Sequence, residues 1–98
     1  MTGYRFLSPA EEEMNEAALF YDGQSSGLGQ NLLDDIQQSI NRLRAYPQLG
    51  AEIETGLRRL LLHRFPFSLI YVVDRREILI VSVAHHGRQP GYWRSRVE

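Results

Sequence analysis

Residues 57–83, LRRLLLHRFPFSLIYVVDRREILIVSV, decide the fold. Three apolar runs follow one another, Leu57–Arg64, Phe67–Val73 and Ile78–Val83, broken by Phe65-Pro66 and by Asp74-Arg75-Arg76-Glu77. Each run has strand length, is rich in Val, Ile, Leu, Tyr and Phe, and holds no internal Gly or Pro. Four polar residues between the last two runs suit a hairpin loop built around a type I turn. Pro66 has no N–H to give a ladder, so it belongs at the corner between the first two. The reading is an antiparallel meander, with the preceding residues folded over one of its faces.

Those preceding residues read as a short strand and two helices. Gly3–Leu7 alternates as a strand does. Ser8-Pro9-Ala10-Glu11 then spells a helix start, with Ser8 as N-cap, Pro9 in the first turn and Glu11 closing a capping box. Ala10, Met14, Ala17, Ala18 and Tyr21 recur at helical spacing, and Asp22–Gly29 interrupts them. A second helix runs from Leu28 to Ala45. Leu32, Leu33, Ile36, Ile40 and Leu43 form its stripe, while Asp34, Asp35, Gln37, Gln38 and Arg42 face water. Tyr46-Pro47 ends it, because the residue before proline is pushed out of the helical region. Gln48–Gly56 reads as a connector. The sum is one α+β domain over residues 1–98, an N-terminal strand and a helical hairpin packed on a mainly antiparallel sheet (β-α-α-β-β-β).

Composition narrows the chemistry. A chain of 98 residues can bury a core without staples. It has no cysteine, which excludes thiol catalysis and fits a reducing cytoplasm. No apolar run approaches the roughly 20 residues of a membrane helix, so no membrane partner is expected, and no metal or other cofactor is called for. The net charge of −1 conceals an asymmetry. Residues 1–55 carry three Arg against nine acids; residues 56–98 carry eight Arg against three, and lysine is absent. Guanidinium forks suit phosphate and carboxylate, so the basic half points to a nucleic-acid or acidic partner.

Candidate site residues lie on the meander and on the tail after it, 84–98 (AHHGRQPGYWRSRVE). Strict alternation places Arg59 and His63 with Leu57, Leu61 and Phe65, and Arg58 and Arg64 with Leu60 and Leu62. His85 continues the face of Leu79, Val81 and Val83. Arg and His converging on an open face would suit RNA phosphates and proton transfer at a ribose hydroxyl. His63 and His85 are the one pair that could place two proton-transfer side chains on a single open face. Tyr92 and Trp93 are either base-stacking platforms or a plug for the core, with Arg88, Arg94 and Arg96 left in water. Adjacent His85 and His86 point to opposite sides of a strand and make a poor metal site.

The ordered set of motifs resembles the RelE/ParE superfamily of bacterial type II toxins. It runs from Ser8-Pro9-Ala10-Glu11 and Gly27-Leu28-Gly29 through Tyr46-Pro47, Leu57-Arg58-Arg59 and Arg64-Phe65-Pro66-Phe67. It ends in Ala84-His85, Arg88, Pro90 and Tyr92-Trp93. The arginine pair, the Phe-Pro-Phe corner and the tail are closer to ParE. The resemblance implies a cytoplasmic toxin, a role in plasmid stabilisation, and a cognate antitoxin in a hetero-oligomer; Gly27–Ala45 and the edges of the sheet are expected to expose an apolar groove to it. A ParE-like chain would bind and poison DNA gyrase, with Arg88, Trp93, Arg94 and Arg96 as target-binding residues. A RelE-like chain would cut mRNA on the ribosome, with Arg59, Arg64, His85, Arg88 and Tyr92 as the catalytic candidates. An inactive interaction domain is a further alternative.

Overall fold

A computed structural model describes residues 2–97. Its elements are β1 (Gly3–Phe6), α1 (Ser8–Gln24), α2 (Leu28–Ala45), β2 (Ala51–Glu54), β3 (Leu57–Leu61), β4 (Phe67–Asp74) and β5 (Glu77–His85). A 3-10 turn at Arg94–Arg96 follows in the tail. The expected α+β architecture holds. The five strands lie in the order β1-β5-β4-β3-β2, with β1 parallel to β5 and every other pair antiparallel.

The two helices cover one face. Leu32, Ile36, Ile40 and Leu43 of α2 meet Leu60, Leu69, Tyr71, Ile78, Ile80 and Val83 of the sheet, and Ala10, Met14, Ala17 and Tyr21 of α1 pack beside them. The helices approach closely at Gly29, where a Cβ would strike the Ala18 carbonyl oxygen and Asp22. Its N–H donates instead to Asp22 Oδ1 at 2.8 Å. The opposite face carries a second cluster, Leu57, Ile70, Val81 and Ala84, closed by Trp93 of the tail. The sheet is therefore covered on both sides, by helices on one and by the chain's own last residues on the other.

Several local expectations are corrected. Gln48–Gly56 is not a plain connector, since Ala51–Glu54 forms an edge strand on β3. Ser8 does not cap α1: Leu7 holds the cap position and no side chain caps the helix. The reason is the strand before it, because Leu7 N–H donates to Ile80 O and Leu7 O already accepts Glu11 N–H. The helix then runs on to Gln24, leaving only Ser25–Gly27 as the connection, with Gly27 at φ 85°. The β4–β5 hairpin turns on two residues rather than four. Asp74 still pairs with Glu77, and Arg75 and Arg76 both take positive φ, 49° and 69°. That primed geometry matches the twist of the strands, at a cost of about 1 kcal/mol or more for each side chain held there.

Asp35 is the largest departure from the pattern. It is 3% exposed, on the buried stripe between Leu32 and Ile36. Its carboxylate accepts the backbone N–H groups of His63, Arg64 and Phe65 at 3.2, 2.8 and 3.3 Å. One helix side chain thus fixes the corner that Pro66 opens between β3 and β4.

Candidate functional site

The face away from the helices holds the candidate site. Cross-strand register builds it in two rows. Arg59, Ile70 and Ser82 stand abreast on β3, β4 and β5, and Leu61, Ser68 and Ala84 form the next row. The tail crosses over them. Gly91, at φ 82°, turns the chain so that Trp93 drops onto the second cluster, where it is 5% exposed. Between tail and strands remains a groove of about 380 Å³, touched by Arg59, Leu61, Ser68, Ile70, Ala84, His86 and Arg88.

The last turn of the tail is tied down on two sides. On one side Arg94 Nε lies 2.9 Å from Glu54 Oε2, at the end of β2. On the other, Arg96 Nη1 lies 2.7 Å from Glu13 Oε1 of α1, with the side chains only 18% and 15% exposed. Tyr92 Oη donates to the same carboxylate and shares a 2.9 Å bond with Ser82 Oγ. Ser82 Oγ also donates to Glu13.

This network occupies a free sheet edge. β1 accompanies β5 only as far as Ile80. Beyond it, Val83 N–H donates to Glu13 Oε1 at 3.1 Å and Val81 O accepts from Arg96 Nη1 at 3.1 Å. Carboxylate and guanidinium replace the acceptor and donor that another strand would present.

Two tyrosines have raised pKa values. Tyr92 is raised by burial first and then by the Glu13 carboxylate that its hydroxyl faces, against opposing effects of Ser82 and Arg88. Its phenol is thus held protonated, as a donor. Tyr71 is raised by burial, partly offset by the Gly50 N–H and by Arg58. That hydroxyl donates to Pro47 O at 2.8 Å and accepts from Gly50 N–H at 2.9 Å, which pins the approach to β2.

The expected catalytic set comes together only in part: Arg59, His85, Arg88 and Tyr92 line the groove and Arg64 does not, and the strand register turns His85 away from Arg59. Ile70 pairs with Ser82 while Tyr71 pairs with Ile80, so Val81 is an extra residue in β5. The bulge reverses the alternation after it. Leu79 and Val81 stay on the tail side, whereas Val83 belongs to the helix-side cluster and His85 stands across from Phe67. The His85 ring packs edge-on to Phe67 at 5.0 Å, and its Nδ1 accepts Gly87 N–H at 2.9 Å. It reaches the end of the groove, but its ring stands on the face opposite Arg59. β3 ends at Leu61, so alternation does not carry to His63, which lines a separate shallow surface with Arg42, Leu61 and Leu62. Arg64 is exposed at the Asp35 corner, outside the groove.

The target-binding candidates divide as well. Arg88 and Arg94 are exposed. Arg88 lies over the Tyr92 ring at 3.9 Å and Arg94 over Trp93 at 5.7 Å. Trp93 is a core plug and Arg96 an internal ion pair, so neither presents itself to a partner. Glu98 lies outside the described residues. The helix part of the expected apolar groove, along Gly27–Ala45, lacks its apolar lining, because Leu32, Ile36, Ile40 and Leu43 are spent on the core. The large exposed apolar side chains there and nearby are Leu19 and Phe20 on α1 and Tyr46 and Leu49 after α2. Sequence reasoning missed His86, whose Nε2 sits 2.9 Å from Ser68 Oγ in the groove.

Among described residues no group of acids and histidines could hold a metal, and no helix is long and apolar enough to cross a membrane.

Comparison with known proteins now has a geometry to meet. No curated protein matches the chain. A solved structure titled "Chromosomal ParDE TA system from P. aeruginosa" superposes with a TM-score of 0.75 at 22% identity, covering 87% of this chain and 96% of that one. The isolated E. coli RelE toxin superposes at 0.68 with 14% identity, covering 97% and 95%. At such identities these two establish the fold alone. The family described as "ParE toxin of type II toxin-antitoxin system, parDE" matches residues 4–90, ending inside the tail just before the segment that Tyr92, Trp93 and Arg96 fasten. With most of its length inside that match, the chain belongs to the ParE toxin family.

Proposed function

We propose that this chain is a growth-inhibiting toxin that acts by docking on DNA gyrase, without chemistry of its own, and is silenced by a cognate antitoxin. Membership of a type II toxin family supports the toxin and the antitoxin. The observation that carries the docking mechanism is the separation of His85 from Arg59 by the Val81 bulge. General acid–base cleavage needs its proton-transfer group within reach of the anchored phosphate. His85 faces the helix side, His63 lies on another surface, Tyr92 is a donor engaged with Glu13, and His86, in the groove, has its Nε2 bonded to Ser68 Oγ. In this reading Arg88 and Arg94 contact the target, while Trp93 and Arg96 hold the tail that presents them.

The alternative, ribosome-dependent mRNA cleavage, draws on Arg59, His85 and Arg88 all touching one groove. Two assays on the purified chain separate them. Gyrase supercoiling should be inhibited, and primer extension on ribosome-bound message should show full-length product. Cleavage at codon boundaries with supercoiling intact would overturn the docking mechanism.

A further inference from the structure

The groove between tail and sheet has a composition that neither the fold nor the family match accounts for. Its apolar side is the half-exposed Leu61 beside the buried Ile70 and Ala84, its polar side holds the Ser68–His86 pair, and its rim is cationic, with Arg59 on β3 and Arg88 after β5. Glu54, the acid beside it, is engaged by Arg94. Among the described residues neither Arg59 nor Arg88 makes an ion pair. At about 380 Å³ the space lies near the small end of ligand pockets, roughly 300–1,000 Å³, and suits one side chain with its flanking backbone rather than a folded surface.

Nucleic acid fits this groove poorly. Single-stranded RNA binding relies on aromatic faces open to bases. Trp93 is buried, and the Tyr92 ring has the Arg88 and Arg96 guanidinium groups at 3.9 and 5.3 Å. What remains available, beside the Ser68–His86 pair, is apolar surface at Leu61 and a guanidinium rim. An extended peptide alternating apolar and acidic side chains complements both, since its successive residues point to opposite sides.

We infer that the groove receives an extended acidic segment of a protein partner, which seats an aliphatic side chain on Leu61 and sets its carboxylates on Arg59 and Arg88. The inference deepens the docking reading, and rests on it, by naming the kind of target segment recognised.

The test titrates the full chain with a fluorescein-labelled peptide of alternating leucine and glutamate. The comparison ligands are an all-glutamate peptide and a single-stranded RNA of equal length. The leucine–glutamate peptide should bind best and perturb the backbone amide resonance of Leu61. Arg59→Ala and Arg88→Ala should each weaken it about tenfold, the order expected for losing one charge-assisted fork. Equal binding of the all-glutamate peptide, tighter binding of the RNA, or indifference to both substitutions would overturn the inference. Gyrase inhibition is read separately on the same preparations. A chain that inhibits gyrase and ignores the peptide overturns the groove's role and keeps the target. A chain that binds the peptide and spares gyrase keeps the groove and removes that target.

Discussion

Glu13 on α1 and Arg96 in the last turn, 83 residues apart in sequence, meet through a 2.7 Å contact at the edge of β5. The pair is mostly buried and shares its carboxylate with Tyr92, Ser82 and Val83. Removing one partner of such a pair leaves a charge without its match, which typically costs about 3–5 kcal/mol. Glu13→Ala should therefore lower the urea unfolding free energy by about that amount. Deleting residues 94–98 should do the same, because it removes Arg96. A deletion that unfolds at the wild-type midpoint would show that the pair contributes nothing.

Asp35 offers a second test, independent of the tail. Asp35→Ala withdraws the acceptor from three backbone N–H groups, and part-buried donors left unsatisfied should cost about 3 kcal/mol together. Hydrogen exchange at His63, Arg64 and Phe65 should accelerate ahead of the strand amides. Asp35→Asn keeps one acceptor oxygen and should recover part of the loss. Unchanged exchange at those amides would contradict the role.

The two raised tyrosines predict an alkaline limit to stability. A group whose pKa is higher folded than unfolded favours the folded state while it is protonated. That contribution is complete below the ordinary tyrosine value of 10.0 and is lost as pH climbs through the raised folded value. Unfolding free energy should thus fall above about pH 10, where the unfolded chain binds fewer protons. Replacing Tyr71 and Tyr92 by Phe should flatten that slope while lowering the plateau near neutrality, because both hydroxyls lose hydrogen bonds. Denaturation series across alkaline pH check both the sign and the window.

Trp93 and Arg88 should separate scaffold from function. Trp93→Ala empties a buried site and should cost roughly 3–5 kcal/mol. Arg88→Ala removes an exposed side chain stacked on Tyr92 and should cost roughly 1 kcal/mol or less. On the docking reading it nevertheless abolishes growth inhibition in cells. A folded Arg88→Ala chain with full toxicity would take Arg88 out of the target contact.

The order of elements was legible because apolar period and turn residues act locally. Leu32, Ile36, Ile40 and Leu43 sit at helical spacing, and each meander run carries strand-forming residues. What stayed hidden depended on partners distant in sequence. β2 is four residues, AEIE, with weak strand propensity, and it forms because β3 supplies its ladder. Asp35 sits at a core spacing, yet a carboxylate reads as solvent-facing until three N–H groups converge on it. The Val81 bulge has no local mark in ILIVSV, and that one residue decides which face His85 takes. The ends of the tail were misjudged for the same reason, since Arg96 is paired by a residue of the first helix.

The carboxylate and guanidinium on β5 also bear on how these molecules behave in a crowd. An uncovered strand edge is a template for another chain. Here Val81 and Val83, both buried, would form such a template if their carbonyl and amide were released. A charged stopper of opposite signs satisfies both groups and offers an incoming strand no ladder to extend. A chain trimmed of its last residues should accordingly scatter more light at high concentration than the intact one, through edge-to-edge association rather than general unfolding. The same few residues that hold the tail in place keep the sheet from growing.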